Sequence, residues 1–168
     1  ISHSVRVGGV KMDEAIIDFI KREFNILIGD RTAEEVKLGI GSAIQIRRRE
    51  TAMVRGRDLI TGLPNTVEIS NEEITEALHE PLTTIMNGVR TCLENTPPEL
   101  ASDIMNKGIY LTGGGSLLGG MDLLIANQTG MPVILAENPM DCVAQGAGIL
   151  AGNLERLRRI TEEAEDWK

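Results

Sequence analysis

The stretch GIYLTGGGSLLGGMDLLIANQTGMPVILAENPMD, residues 108–141, decides the fold. It contains a short apolar run, three glycines after a threonine, an apolar segment with helical spacing and a second apolar run. This order predicts a strand, a glycine turn, a helix that includes SLLGGMDLLIANQTG, and a second strand, with another helix over residues 141–157. Alternation of strands and helices is typical of a parallel sheet covered by helices, so the predicted fold class is α/β.

The TGGGS segment, residues 112–116, has two possible explanations. A strand that enters three glycines before a helix exposes backbone N–H groups at the positive end of that helix, where a phosphate or ribose can approach. The segment lacks the lysine of a phosphate-binding loop, and no acid follows at the spacing of the dinucleotide fingerprint. On these residues alone, a tight structural turn is favoured over a nucleotide-binding loop.

The charge balance and the low aromatic content argue against nucleic acid as a partner. The 168 residues carry 17 basic and 25 acidic side chains, a net charge of −8, and only four aromatic side chains. This balance repels phosphate backbones and offers few stacking surfaces, so we expect no nucleic acid partner.

Cys92 and Cys142 have no neighbours at metal-ligand spacing, which predicts no metal site and two reduced, mostly buried thiols in a cytosolic protein. The chain begins ISHSVRVGG, like the end of a strand, and we expect it to be a fragment.

The first 94 residues predict a mixed arrangement of helices and strands. An amphipathic helix is expected over 12–24, with Asp13 and Glu14 in its first turn and the helix in the same layer as the parallel sheet. Thr32 with Glu35 predicts a capping box that begins a second helix. Residues 44–69 predict two or three antiparallel strands. Ser70 with Glu73 predicts a second capping box, and the helix that follows should break near Pro81 and end before Pro97.

These elements predict a sheet-bearing subdomain with a smaller one inserted into it. We expect the sheet-bearing subdomain to comprise residues 1–27 and 81–153, and the inserted α+β subdomain to comprise residues 28–80. Residues 154–168 form a charged tail that we expect to be helical and either solvated or docked.

The segment AEEVKLGIG, residues 33–41, is a second candidate site. Glu34, Lys37 and Gly41 share one helical face, where a carboxylate can accept ribose hydroxyls, a lysine stem can cover a base and its ammonium can reach a phosphate. The alternative is a solvated Glu34–Lys37 ion pair worth about 0.2 to 0.5 kcal/mol. Gly39 and Gly41 each cost a helix up to about 1 kcal/mol relative to alanine, which indicates either function or close packing.

A family resemblance extends over nearly all of residues 1–153. The segments SVRVGG, MDEAI, AEEVKLGIGSA, VRGRDLITGLP, TPPELASDI, GIYLTGGGSLL and AENPMDCVAQGAG closely resemble, in order and spacing, the bacterial actin homologues of the MreB/Mbl family. The resemblance implies an actin-like ATPase (ribonuclease H-like) fold of two lobes, of which this chain looks like the second. It also implies ATP, with Mg in the intact protein, and self-association into filaments in the cytoplasm at the inner face of the cell membrane. The cell-wall elongation machinery would be the partner, and cell shape the outcome.

The same resemblance implies the candidate site residues. An adenosine-contacting helix corresponds to Glu34, Glu35, Val36 and Lys37, with Gly41 on the same face, and an adenosine loop corresponds to Gly113, Gly114, Gly115, Ser116 and Leu117. The phosphate loops, the metal-binding acid and the water-positioning glutamate of the family precede Ile1, so we expect no catalytic or metal-binding residue here and no ATP hydrolysis by the chain alone.

Two features depart from the family. Val10 stands where the family has an acid, and Arg47, Arg48 and Arg49 form a basic run for which a solvated loop is favoured over a lipid or partner patch. The alternative function is one lobe of a sugar or acetate kinase of the same superfold, since one fold serves many functions.

Overall fold

The structure is a computed structural model that describes residues 1–153, 155 and 158. Its helices are α1 (Gly9–Phe24), α2 (Asp30–Ile40), α3 (Asn71–Ala77), α4 (His79–Glu94), α5 (Pro98–Lys107), α6 (Met121–Thr129) and α7 (Cys142–Ala151), with a 3₁₀ helix over Gly114–Leu117. Its strands are β1 (Ile26–Leu27), β2 (Thr51–Asp58), β3 (Pro64–Ser70), β4 (Ile109–Leu111) and β5 (Val133–Leu135). The predicted α/β class is confirmed. The tail predicted over 154–168 lies outside the described residues, apart from 155 and 158.

The parallel sheet is confirmed. Strands β4 and β5 pair in parallel, with Ile109 opposite Val133, and α6 connects them while α7 follows β5. The predicted extent of the connecting helix is wrong, because α6 begins at Met121 and not at Ser116. Gly120 has φ +73°, a left-handed conformation that separates the 3₁₀ helix from α6.

The antiparallel strands predicted within residues 44–69 are confirmed as β2 and β3. They pair from Thr51 opposite Ser70 to Arg57 opposite Pro64, and β1 adds a third strand on the other edge of β2. Asp58 closes the hairpin, since its Oδ1 accepts hydrogen bonds from the backbone N–H groups of Thr61 and Ile60. These bonds lower the pKa of the exposed Asp58 carboxyl below its ordinary value.

The two predicted capping boxes have opposite outcomes. Ser70 and Glu73 form the predicted box, in which the Glu73 backbone N–H donates to Ser70 Oγ and the Ser70 N–H donates to the Glu73 carboxylate. The box at Thr32 is wrong, because α2 begins at Asp30 with Gly29 as its N-cap. Gly29 already has the extended N-cap conformation, so Thr32 lies inside the first turn. The predicted break near Pro81 is confirmed between α3 and α4.

One core joins most of the elements. Helix α1 contributes four buried side chains to it, and α2, the three-stranded sheet, α3, α4 and α6 contribute the rest. Helix α1 begins at Gly9, so Asp13 and Glu14 lie beyond its first turn, contrary to the prediction. Its main contacts are with α2 and β1, and it also contacts α3 and α4.

Residues 1–7 form no strand, contrary to the expectation for ISHSVRVGG.

The remaining features lie away from the core. Cys92 and Cys142 are free thiols that are only partly buried, less enclosed than predicted. Arg47, Arg48 and Arg49 lie in an exposed irregular segment, as expected of a solvated loop. The division into residues 1–27 with 81–153 and residues 28–80 stays a prediction.

Candidate functional site

The segment that contains TGGGS, residues 112–116, is called the glycine loop below. A cleft of about 550 Å³ separates it from α2. The residues that line it are Gly9, Met12, Glu34, Lys37, Leu38, Gly41, Gly114, Gly115, Leu117, Leu118, Gly119 and Met140. We call Glu34, Lys37, Leu38 and Gly41 the helical wall, and Gly114, Gly115, Leu117, Leu118 and Gly119 the glycine-loop wall. The volume suits a small-molecule ligand, since such sites commonly measure about 300 to 1,000 Å³. Two segments that are about 80 residues apart in the sequence therefore form one concave surface.

Six of the ten predicted site residues line this cleft, and four do not. Glu35 is exposed, and its carboxylate pairs with Arg31 at 3.0 Å, away from the cleft. Val36 is buried in the core. Gly113 and Ser116 form the turn of the glycine loop instead of its open surface.

Lys37 is paired with α1 and not with Glu34. Its Nζ lies 2.7 Å from Asp13 Oδ1, and the side chains of Lys37 and Asp13 are only 11% and 14% exposed. Lys37 Nζ also donates to the backbone carbonyl oxygen of Gly9 at 3.3 Å. The solvated Glu34–Lys37 pair considered from the sequence is therefore not formed, and a largely buried pair takes its place.

Glu34 is the exposed acid of the helical wall. No ion pair or side-chain hydrogen bond involves its carboxylate within residues 1–153, 155 and 158, whereas the neighbouring Glu35 carboxylate is paired. A carboxylate accepts through two oxygens, so Glu34 can accept hydrogen bonds from a ligand that carries two adjacent hydroxyls. Glu34 and Lys37 are the ionisable side chains that line the cleft.

The two glycines of α2 have different explanations. A Cβ on Gly41 would lie 2.3 Å from the carbonyl oxygen of Lys37, and the Gly41 N–H donates to that same oxygen at 2.9 Å as the helix ends. A Cβ on Gly39 would meet nothing within 4 Å, and Gly39 is exposed. Close packing therefore explains Gly41 but not Gly39.

The glycine loop combines one glycine that the backbone requires, one beside the end of a flexible side chain and one that faces open space. Gly113 has φ +79°, its N–H donates to the Pro139 carbonyl oxygen at 2.7 Å, and its own carbonyl oxygen accepts from Ser116 Oγ at 2.6 Å. A Cβ on Gly115 would meet nothing within 4 Å, and one on Gly114 would meet the flexible end of Met140 at 3.2 Å. The exposed backbone of Gly114 and Gly115 leaves room for a ligand. It belongs to a 3₁₀ helix of four residues and not to the longer helix predicted.

Ser42 joins the two walls and was not identified from the sequence. Its side chain is fully buried, and its Oγ donates to the Gly119 carbonyl oxygen at 3.0 Å. The Ala43 N–H donates to the same oxygen at 2.7 Å, and Ser42 forms an isolated parallel bridge with Gly119. The sequence does contain a weak signal for this contact, because Ser42 is a polar residue directly between the end of a helix and the apolar pair Ala43 and Ile44.

The described residues supply no obvious place for a metal ion. Within residues 1–153, 155 and 158, no three His, Cys, Asp or Glu side chains come together as a metal-binding group. In the same part of the chain, no helix combines the length and the apolar character that crossing a membrane requires.

Comparison with known proteins identifies the family. The sequence profile of the family described as MreB/Mbl protein matches residues 1–159. The chain is 47% identical over 156 residues to the cell shape-determining protein Mbl of Bacillus cereus, covering 93% of the chain and 47% of the relative. It is 50% identical over 147 residues to the cell shape-determining protein MreB of Escherichia coli, covering 88% of the chain and 42% of the relative. The chain thus spans about half the length of these curated relatives.

Solved structures agree with the sequence comparison. MreB5 of Spiroplasma citri bound to ADP superposes with a TM-score of 0.87 at 37% identity, covering 92% of this chain and 47% of that one. The MamK double helical filament superposes with a TM-score of 0.71 at 20% identity, covering 84% of this chain and 43% of that one, which shows a shared fold. The predicted actin-like lobe is confirmed, and the chain belongs to the MreB/Mbl family of bacterial actin homologues.

Proposed function

We propose that the chain is the adenosine-binding second lobe of an ATP-binding cytoskeletal protein that forms filaments and directs cell shape. The observation that carries the proposal is the cleft between α2 and the glycine loop, which contains exposed glycine backbone, apolar side chains and the Glu34 carboxylate, unpaired among the described residues. The related MreB5 was solved with ADP and also with AMPPNP, which supports a nucleotide as the ligand.

Each wall of the cleft would recognise a different part of adenosine. Glu34 would accept hydrogen bonds from the ribose hydroxyls. Leu38 and Leu117, which are 75% and 54% exposed, together with the Lys37 stem would give apolar contact to the base. Gly114 and Gly115 line the cleft and carry no side chain, so they would let the ligand approach the backbone.

The residues that line the cleft fit the nucleoside better than they fit phosphate or Mg²⁺. Phosphate needs free cations or several converging N–H groups, and the Lys37 ammonium is already held by Asp13 and Gly9. Mg²⁺ needs carboxylate oxygens together with phosphate, and among the described residues that line the cleft Glu34 is the only acid. We infer that the triphosphate and Mg²⁺ are held by parts of the protein outside this chain, where they supply phosphoryl-transfer chemistry.

The chain alone should therefore lack ATPase activity. At saturating Mg-ATP, we expect phosphate release from the purified 168-residue chain to equal the background, because phosphoryl transfer needs a metal, a phosphate cradle and a positioned water together. Phosphate release can be followed continuously with a coupled assay. Turnover that survives purification and disappears in the Glu34→Ala variant would contradict the half-site.

Membership of the family supports a proposed location and proposed partners. The filaments would lie in the cytoplasm at the inner face of the membrane, where they would organise the cell-wall elongation machinery. The alternative, a lobe of a sugar or acetate kinase, is disfavoured because the curated relatives are named as cell shape-determining proteins. Sedimentation of the full-length protein with ATP, compared with phosphorylation of a sugar panel, separates the two classes.

Mapping adenosine binding onto the chain tests the proposed site. We expect a ¹⁵N-labelled sample to show saturable amide shifts at Glu34, Gly41, Gly114 and Gly115 on titration with adenosine, with a Kd on the order of 1 mM for half a site. Guanosine at equal concentration gives the measure of nonspecific stacking. Shifts that are spread over the surface, or that do not saturate, would reject the cleft as the adenosine site.

A further inference from the structure

The ion pair behind the cleft changes what Lys37 can do for a ligand. Lys37 lies on the helical wall, but its Nζ lies 2.7 Å from Asp13 Oδ1 on α1 and donates to the carbonyl oxygen of Gly9. Both side chains are nearly enclosed, at 11% and 14% exposure, so solvent screens their attraction less than it screens a surface pair. The positive charge of Lys37 is therefore neutralised inside the protein and is not presented to the cleft.

Because Asp13 cancels the charge of Lys37, the carboxylate of Glu34 is the remaining net charge among the described residues that line the cleft. A carboxylate repels phosphate and attracts hydroxyl donors. The chain as a whole has a net charge of −8, which adds to the repulsion of anions. A cleft of this kind favours the uncharged part of a nucleotide over its phosphates.

We propose that Asp13 is a specificity-determining residue, which neutralises Lys37 so that the cleft of this chain recognises the nucleoside and makes no use of the phosphate chain. The inference rests on the proposed adenosine site and deepens it. It differs from the role expected for Lys37 from its sequence position, in which the ammonium reaches a phosphate. Its measurable consequence is that ADP binds this chain no more tightly than adenosine does.

The ratio of two affinities tests this role separately from folding. In metal-free buffer, we expect the Kd of ADP for the wild-type 168-residue chain, measured from cleft amide shifts, to be equal to or higher than the Kd of adenosine. In Asp13→Asn, the Lys37 ammonium loses its counter-charge and can attract the diphosphate, so we expect ADP to gain about fivefold over adenosine. A residue that only stabilises the fold would change both affinities by the same factor and leave their ratio unchanged, which would overturn the proposal.

Glu14→Gln is the matched control. Glu14 is the next residue of α1, pairs with Lys11 on the surface, and on replacement changes the net charge by the same one unit as Asp13→Asn. We expect its ADP to adenosine ratio to equal that of the wild type. A shift in this control as large as that in Asp13→Asn would show that net charge and not the Asp13–Lys37 pair sets the ratio, and would also overturn the proposal.

The double variant Asp13→Asn/Lys37→Met provides a second test if Asp13→Asn does not fold. It removes both charges of the pair and leaves neither one unpaired, so the wild-type ratio should persist if Asp13 already cancels the Lys37 charge. Preferential loss of ADP binding in the double variant would show that Lys37 serves phosphate in the wild type, and would reject the inference. Absence of any saturable adenosine binding by the wild type would instead reject the proposed site itself, and the inference with it.

Discussion

The helical wall and the glycine-loop wall face the same cleft but are supported in different ways. Helix α2 buries Ala33, Val36 and Ile40 in the core, and Lys37 joins it to α1. The glycine-loop wall has no buried residue in its 3₁₀ helix and is held by hydrogen bonds to its backbone, including the Gly113 N–H bond to Pro139 and the bond from the Ser42 hydroxyl to Gly119. On the helical wall, substitutions in the helix should therefore change both the stability of the fold and ligand binding. On the glycine-loop wall, substitutions in the 3₁₀ helix should change ligand binding with little effect on stability.

Truncation of one apolar side chain on each side should show the largest difference. We expect Ile40→Ala, at a position 9% exposed at the end of α2, to lower the free energy of unfolding by about 2 to 4 kcal/mol. Leu117→Ala, at a position 54% exposed on the glycine-loop wall, should change it by no more than about 0.5 kcal/mol. Denaturant melts measure both changes.

The adenosine titration completes this comparison. Leu117→Ala should weaken adenosine binding several-fold, because apolar contact area is lost while the fold is kept. A Leu117 variant that is as destabilised as Ile40→Ala would show that the glycine-loop wall is part of the core, and would remove the contrast between the walls.

A side chain at Gly114 should damage binding more than folding. The valine of Gly114→Val would occupy cleft space, and its Cβ would meet Met140 Sδ at 3.2 Å, a flexible group that can move aside. We expect at least a tenfold loss of adenosine affinity, about 1.4 kcal/mol, with a loss of unfolding free energy below about 1 kcal/mol. A melt and a titration on the same sample measure both, and equal losses would return TGGGS to a purely structural turn.

Gly39→Ala should be the mildest change and should be stabilising. Gly39 is an exposed helical residue with free space where a Cβ would lie, and it does not line the cleft. Alanine restricts the unfolded chain and favours the helix, so we expect a gain of about 0.5 kcal/mol in unfolding free energy with unchanged adenosine affinity. A loss of affinity would show that Gly39 has a role in binding that the apparent free space conceals.

Local sequence signals predicted the elements well where one local interaction decides the structure. The Ser70 capping box, the break near Pro81 and the parallel pairing of β4 with β5 all follow from residues that are near in sequence or from one repeating pattern. The Thr32 box failed because Gly29 competed successfully for the N-cap. The start of α6 failed because Gly120 adopts a left-handed conformation within an apolar segment.

The candidate site was predictable by residue type but not by partner. Helical spacing placed Glu34, Lys37 and Gly41 on one face, and all three line the cleft. The Asp13–Lys37 pair joins residues 24 positions apart, and the Ser42–Gly119 contact joins residues 77 positions apart. Contacts of this kind depend on the tertiary fold, which a periodic pattern in a single sequence does not specify.

The central claim is that the face of α2 that carries Glu34 binds adenosine, and two adjacent glutamates test it most directly. Replacement of Lys37 would confound the test, because it would leave the Asp13 carboxylate unpaired. Glu34 lines the cleft, whereas Glu35 is exposed beside Arg31, so Glu35→Ala is the matched control. We expect Glu34→Ala to raise the Kd for adenosine at least about tenfold, the value of one hydrogen bond to a charged group, and Glu35→Ala to leave it unchanged. Unchanged affinity in Glu34→Ala, or an equal loss in both variants, would contradict the account.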